Sequence, residues 1–216
     1  MHLHEFMARM HQVVKPQNYL EVGVQHGTSL KLATTAARAV GIDPAPLHIA
    51  RDNQVIYKMT SDDYFDAASD AGGHALIDLG FIDGLHHYEQ ALRDFLNMER
   101  YVHEKSIIVF DDILPRNQEE ATREQNTSDW TGDVWKVTHM LLKYRPELRI
   151  REVDTSPTGT LVVWGFLTGK PGYVPRSMDR FVKEYMNLTE VPQATLDRNY
   201  AIDPEAVLAD IEEFLA

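Results

Sequence analysis

The sequence contains no cysteine. A disulfide framework, a thiolate metal site and a cysteine nucleophile are therefore excluded. Basic residues are also scarce. The 21 Lys and Arg stand against 33 Asp and Glu, a formal charge of -12, and no run of Lys and Arg offers the basic face that holds a nucleic-acid backbone. Neither nucleic acid nor a membrane surface is the expected partner. No stretch approaches the roughly 18 apolar residues of a membrane span; the longest uncharged segment, TSPTGTLVVWGFLTG, is broken by Pro157, Gly159 and Gly165. The opening MHLHEFMARMHQ carries Glu5 early and lacks the basic start and apolar run of a secretory signal, so the cytoplasm is the expected compartment. What remains is an ordinary globular composition, 44% apolar and 25% charged over 216 residues. That is the size of one domain with an appendage, large enough to fold without cross-links.

Short apolar runs alternate along the chain with stretches of helical periodicity. Residues 2–14 predict an amphipathic helix, with Leu3, Phe6, Met7, Met10 and Val14 at helical spacing. Strands are predicted at 18–24, 39–43, 54–60, 75–84 and 106–113, and helices at 29–39 (opened by Thr28 or Ser29), 62–70, 88–102 and 132–145. Residues 114–131 are polar and aperiodic, and a loop of that length inside a compact domain usually has a function. LRIREVD and TLVVWGF, separated by TSPTG, predict a hairpin. Two more amphipathic helices are expected around 175–187 and 204–215, carrying Phe181, Val182, Tyr185 and Leu188, then Val207, Leu208, Ile211 and Leu215. Such stripes either pack on the parent domain or form a homodimer contact. The alternation predicts an α/β fold with a mostly parallel sheet covered on both faces. The last two strands must form an antiparallel edge, because so short a turn cannot make a parallel crossover.

In open sheets of this kind ligands bind beyond the carboxyl ends of the strands. The first strand is followed by Gly23 and Gly27, which permit a tight turn and a close approach of backbone to ligand. Their G-x-x-x-G spacing is not the G-x-G-x-x-G of a dinucleotide site. Asp43 ends the second strand 20 residues beyond Gly23, placed to accept hydrogen bonds from a ribose diol. Together these features favour an adenosine ligand without separating a dinucleotide from S-adenosylmethionine. The fourth strand ends at Asp83 and the fifth at Asp111 and Asp112. Three converging carboxylates would repel one another, and a hard divalent cation such as Mg²⁺ is the natural remedy. His86 follows Asp83 on the same edge and would face the site if Asp83 does, with His87 pointing elsewhere. His2, His4 and His11 receive no role.

The segments EVGVQHGTS, GIDP, MTSDDYF, FIDGLHHYE, IIVFDDI and TGDVWKV, in this order, resemble the class I S-adenosylmethionine-dependent methyltransferases. Within them they are similar to the metal-dependent O-methyltransferase branch, which includes the macrocin-type and mycinamicin-type sugar O-methyltransferases. The resemblance spans about residues 16–168. It implies a Rossmann-like, seven-stranded sheet and S-adenosylmethionine as cofactor. It implies that Glu21, Gly23, Gly27 and Ser29 hold the methionine end and sugar of the cofactor, that Asp43 binds the ribose, and that Thr60 and Ser61 border the adenine. It implies that Asp83, Asp111 and Asp112 hold Mg²⁺ or Mn²⁺, and that His86 is the catalytic base beside Asp83. Leu85 stands where several macrocin-type relatives have an acidic residue, which leaves His86 or no base at all.

The expected organisation is an N-terminal helix (1–15), a methyltransferase domain (16–168) and a helical extension (169–216). The expected reaction is methyl transfer to a hydroxyl of a small sugar- or polyol-type acceptor, with the 114–131 loop, Trp130 and Trp135 as lid or acceptor pocket. Two competing readings are an NAD-dependent oxidoreductase, which predicts the G-x-G-x-x-G turn and an all-parallel sheet, and a non-catalytic binding module, which predicts loss of the acidic cluster.

Overall fold

A computed structural model describes residues 1–70, 75–167 and 178–216. Seven strands form one sheet in the order β3-β2-β1-β4-β5-β7-β6. They are β1 (Asn18–Val22), β2 (Arg38–Ile42), β3 (Gln54–Tyr57), β4 (Ile77–Ile82), β5 (Val102–Phe110), β6 (Arg149–Val153) and β7 (Thr160–Trp164). The first five are parallel, and β7 runs antiparallel to both β5 and β6. This is the expected α/β architecture, with the expected hairpin at the edge.

Alternation along each strand sends side chains to opposite faces. Leu20, Val22, Val40, Ile82, Ile108 and Phe110 enter one core. That core is closed by α2 (Ser61–Asp70), α3 (Tyr88–Glu99) and α4 (Lys136–Tyr144). Tyr19, Ala39, Leu79, Phe81, Ile107, Val109 and Trp164 enter the other, beneath α1 (Leu3–Val14) and α7 (Pro204–Leu215). The stripe Val207, Leu208 and Ile211 of α7 is buried in that second core, and Arg9 of α1 pairs with Glu205 of α7 at 2.9 Å. No helix among the described residues is long and apolar enough to cross a membrane. Between α4 and α7 lie α5 (Met178–Met186) and a short α6 (Gln193–Leu196); residues 175–177 and the Phe181 side chain of the expected helix lie outside the described residues.

The expected helix at 29–39 is instead a single 3-10 turn, Leu30–Leu32. Side chains take the carbonyls that a helix would need. Asn53 Nδ2 donates to Ala33 O and Ala36 O, and Gln54 Nε2 donates to Leu30 O. Ser29 makes no cap because its hydroxyl donates to Glu21 Oε1 at 2.8 Å. The helix expected from residue 132 begins at Lys136, since Gly132 adopts φ +57°. β5 starts four residues earlier than the apolar run suggested, at Val102.

The ladder bonds persist one step past the strands. Gly23 N donates to Ile42 O, Asp43 N to Tyr57 O, Asp83 N to Val22 O and Asp111 N to Ile82 O. Four of the residues singled out in sequence thus stand in a row at the carboxyl edge of the sheet.

His11 of α1 is 3% exposed, neither ring nitrogen has a hydrogen-bond partner among the described residues, and burial lowers its pKa to about 4. It is neutral when folded and must charge as acid is added. Its stabilisation is complete above the ordinary value near 6.5 and is lost as pH falls through 4, roughly 3 kcal/mol in all. Urea unfolding of the wild type and of His11→Leu from pH 7.5 to 4 should therefore show the wild type losing up to that amount more than the variant. Parallel pH curves would mean that His11 is not the group responsible.

Candidate functional site

Beyond the ends of β1 and β4, where the strand order reverses, lies a cleft of about 840 Å³. Among its lining residues are Gly23, Ser29, Asp43, Thr60, Ser61, Asp83 and His86. Gly23 has φ +90°, and a Cβ there would lie 1.8 Å from the Asp83 carbonyl oxygen. Only glycine lets β1 and β4 end this close together. The following turn is held by Asp43. Its Oδ2 accepts from Val24 N and Gln25 N at 2.9 and 2.8 Å, and its Oδ1 accepts from Ala45 N at 2.7 Å. The carboxylate thereby fixes Gln25 at φ +42°.

Glu21 is placed differently from a cleft residue. Strand alternation puts it on the Tyr19 side of the sheet, fully buried, where it accepts from Tyr19 Oη at 2.6 Å and Ser29 Oγ at 2.8 Å. Burial pushes its pKa up to about 8, against those two hydrogen bonds and with the nearby Asp83 charge adding to the rise. A carboxyl so placed supports the turn through Ser29. Gly27 packs against the His48 ring, which a Cβ would meet at 2.4 Å.

On the far wall Thr60 Oγ1 accepts from Asp63 N at 3.2 Å, opening α2. Ser61 accepts from Gln90 Nε2 at 3.2 Å, and the same amide donates to Asp94 at 3.1 Å. Asp94 is 1% exposed, and burial pushes its pKa up to about 6 against the hydrogen bonds from Ser61 and Gln90.

Asp83, His86 and Asp112 each offer a donor atom within 4.8 Å of the others. Asp111 lies outside that group, so the structure does not gather the expected set of Asp83, Asp111 and Asp112. Asp111 continues the β5 ladder and is buried, whereas Asp112 turns off it at φ +62°. His86 Nε2 lies 3.5 Å from Asp83 Oδ1, and Nδ1 lies 3.2 Å from Asp112 Oδ2 and 2.7 Å from Trp130 O. Because a carbonyl only accepts, that short contact puts a proton on Nδ1. Burial favours the neutral ring, but the Asp83 hydrogen bond, the Asp112 and Asp83 charges and the Trp130 carbonyl outweigh it and raise the His86 pKa to about 9. Burial raises Asp112 to about 7, with His86 opposing the rise and Asp83 adding to it. Burial and the neighbouring Asp112 and Asp83 raise Asp111. Without a cation, His86 is the counter-charge of the cluster.

The loop 114–131 supplies one wall. The Trp130 ring stacks on His86 at 5.0 Å, and its Nε1 donates to Thr122 O at 2.5 Å. Gly132, at φ +57°, brings the chain against His86, where a Cβ would lie 1.7 Å from the carbonyl oxygen. Arg123 fastens the loop to Glu89 and Asp133 at 2.5 and 2.7 Å, and His87 turns away from the cleft to Arg123 O. Trp135 is 1% exposed and packs in a satellite cluster with Ala121 and Val191, so Trp130 alone of the two reaches the cleft.

Sequence reasoning missed His4, which lines the cleft. The chain holds it there through bonds between Met1 and Leu3 and residue Ser156 of the hairpin turn. Nothing in the local sequence signals that contact, because its partner lies some 150 residues away. Trp130 was legible as a loop aromatic, and its stacking on His86 was not.

Residues 20–113 match the model of a family described as a methyltransferase domain. Similar solved structures include an O-methyltransferase from Bacillus cereus in complex with SAH, 15% identical over 74% of this chain and 80% of that one, with a TM-score of 0.57. Cofactor-bound Rv0187 from MTB is 20% identical over 75% and 78%, with a TM-score of 0.59. The O-methyltransferase TomG from Streptomyces achromogenes, in complex with SAM, is 15% identical over 76% and 79%, with a TM-score of 0.57. None of the curated proteins matches the sequence. The fold is thus the Rossmann-like fold of the methyltransferases.

Replacing Gly23 by Ala tests the close approach on which the cleft is built. Overlap with the Asp83 carbonyl and the positive φ should cost on the order of 3 kcal/mol, read as a lowered urea midpoint. Wild-type stability in the variant would show that β1 and β4 can end further apart.

Proposed function

We propose that this chain transfers a methyl group from S-adenosylmethionine to a hydroxyl of a small sugar- or polyol-type acceptor, with Mg²⁺ or Mn²⁺ at Asp83 and Asp112 and His86 as base. The observation that carries the reading is the convergence of Asp83, His86 and Asp112 within 4.8 Å, at the edge where this fold places ligands. The methyltransferase-domain match over residues 20–113 supports the cofactor, as do the similar structures that hold SAH or SAM.

S-adenosylmethionine supplies a methyl group made electrophilic by its sulfonium. Gly23, Ser29, Asp43, Thr60 and Ser61 line the space for it. Asp43 uses three of its roughly four acceptor sites on backbone amides, leaving one on Oδ1 for a ribose hydroxyl. Glu21 and Gly27 shape the turn from behind. Asp83 and Asp112, two carboxylates with no sulfur beside them, fit a hard cation, which when bound would lower the pKa of a neighbouring hydroxyl and, by taking over as counter-charge, leave the His86 ring neutral at Nε2. His86 is fixed at Nδ1 by the 2.7 Å bond to Trp130 O and held more loosely at Nε2, 3.5 Å from Asp83. That leaves Nε2 as the atom that takes the acceptor's proton. Trp130 and the half-exposed Leu85 offer an apolar wall for the acceptor, and holding it in line with the methyl group contributes much of the rate.

A metal-free version has its own support, with His86 able to act as base only where it loses its proton, toward pH 9. His86 already balances Asp83 and Asp112, so the cluster is electrically tolerable without a cation.

Calorimetry should give one SAH per chain and no NAD binding, with Asp43→Ala weakening SAH at least tenfold. NAD binding without SAH binding would overturn the cofactor. Titration with Mn²⁺, followed by its electron paramagnetic resonance, separates the two versions: one tight site lost in Asp112→Ala supports the metal, and no site in the wild type removes it. In a survey of hydroxylated acceptors read by SAH release, His86→Ala should lower kcat at least a hundredfold while SAH affinity is kept. Full activity of that variant across pH would exclude His86 as the base.

A further inference from the structure

A second cleft, of about 480 Å³, opens on the opposite flank of the sheet between the edge strand β6 and α7. It is lined by Arg149, Arg151, Trp164, Asp210, Glu213 and Phe214 and shares no residue with the main cleft. The residues come together by two periodicities. Arg149 and Arg151 are two apart on β6 and so share a face, with Trp164 paired across from Arg149. Asp210, Glu213 and Phe214 fall on one stripe of α7.

Two cations therefore face two carboxylates across the cleft, yet neither arginine forms an ion pair with either acid within 4.0 Å among the ion pairs of the described residues. The guanidinium groups lie on aromatic faces instead. Arg149 sits 5.5 Å over Phe214 and Arg151 sits 5.8 Å over Trp164. Stacking uses the flat face of a guanidinium and leaves its edge of N–H donors for a planar oxyanion. Apart from one Arg151 N–H that donates to Ile150 O, those donors have no partner among the described residues. Trp164 is 1% exposed, and its Nε1–H is buried without an acceptor among the described residues, so its indole signal reports on the packing beneath Arg151.

We propose that this cleft binds a small zwitterion of amino-acid type, with its carboxylate on Arg149 and Arg151 and its ammonium on Asp210 and Glu213. The opposed charges select against a simple anion, which the two acids would repel, and against a simple cation, which the arginines would repel. The two rings are covered by the arginines, so recognition rests on the charged ends of the ligand and tolerates varied side chains.

The test uses the full chain labelled with ¹⁵N, following the indole N–H signals of its 3 tryptophans, with Trp164 assigned by its loss in Trp164→Phe. L-alanine is the zwitterionic probe and inorganic phosphate, at matched ionic strength, is the anion-only probe. Alanine should move the Trp164 signal saturably and leave Trp130 in place, and phosphate should not saturate. Arg151→Gln and Asp210→Asn should each weaken alanine at least tenfold while SAH binding in the main cleft stays unchanged, which certifies the fold. No saturable shift with alanine, equal saturation by phosphate, or unchanged affinity in both variants would overturn the proposal. The outcome is independent of whether the main cleft transfers methyl groups.

Discussion

The approach of Gly23 to the Asp83 carbonyl governs how this molecule is put together at its functional edge. A side chain at residue 23 would stand 1.8 Å from that oxygen, so β1 and β4 finish side by side only with bare backbone between them. Because the strand order reverses at this pair, the two chains leave in opposite directions. One departs through the turn fixed by Asp43, the other through His86 toward α3. The cleft is the space that this divergence leaves open.

The same edge concentrates buried charge. Glu21, Asp94, Asp111 and Asp112 stand at or just behind strand ends, and burial shifts each of these carboxyls upward. Solvent does not relieve these groups, so each needs an internal partner. Glu21 has Tyr19 and Ser29, Asp94 has Gln90 and Ser61, and Asp112 has His86. His86 differs from the other partners in carrying a full charge and in facing the cleft. It therefore connects the electrostatics of the fold with whatever enters the site.

The wall opposite is a loop held by its own Arg123 and by residues of the C-terminal region. Arg123 ties it to α3 and to Asp133. From the C-terminal side Gln118 exchanges two hydrogen bonds with Val191, and Arg198 reaches Asp154 and the Leu114, Thr155 and Pro157 carbonyls. At the other end of the chain, Met1 and Leu3 fasten onto Ser156 and bring His4 into the cleft. Residues 1–3 thus fasten the hairpin turn while Val191 and Arg198 fasten the loop whose Trp130 stacks on His86.

The alternation of apolar runs was enough to define the sheet, its antiparallel edge and the row of Gly23, Asp43, Asp83 and Asp111, because backbone hydrogen bonding and a two-residue repeat leave few arrangements for such a pattern. It was not enough for residues 29–39, where Asn53 and Gln54 claim the carbonyls of an otherwise acceptable helix. Nor did it separate Asp111 from Asp112, which differ by the left-handed backbone of the second. Glu21 was legible as a residue of the turn, and its burial beneath Tyr19 and Ser29 was not. The physical division is one of range. Periodicity and turn chemistry act between neighbours and are written along the chain, whereas the burial of a carboxyl, the partner of an imidazole and the presence of His4 in a cleft depend on atoms brought together from distant segments, which only the packed structure decides.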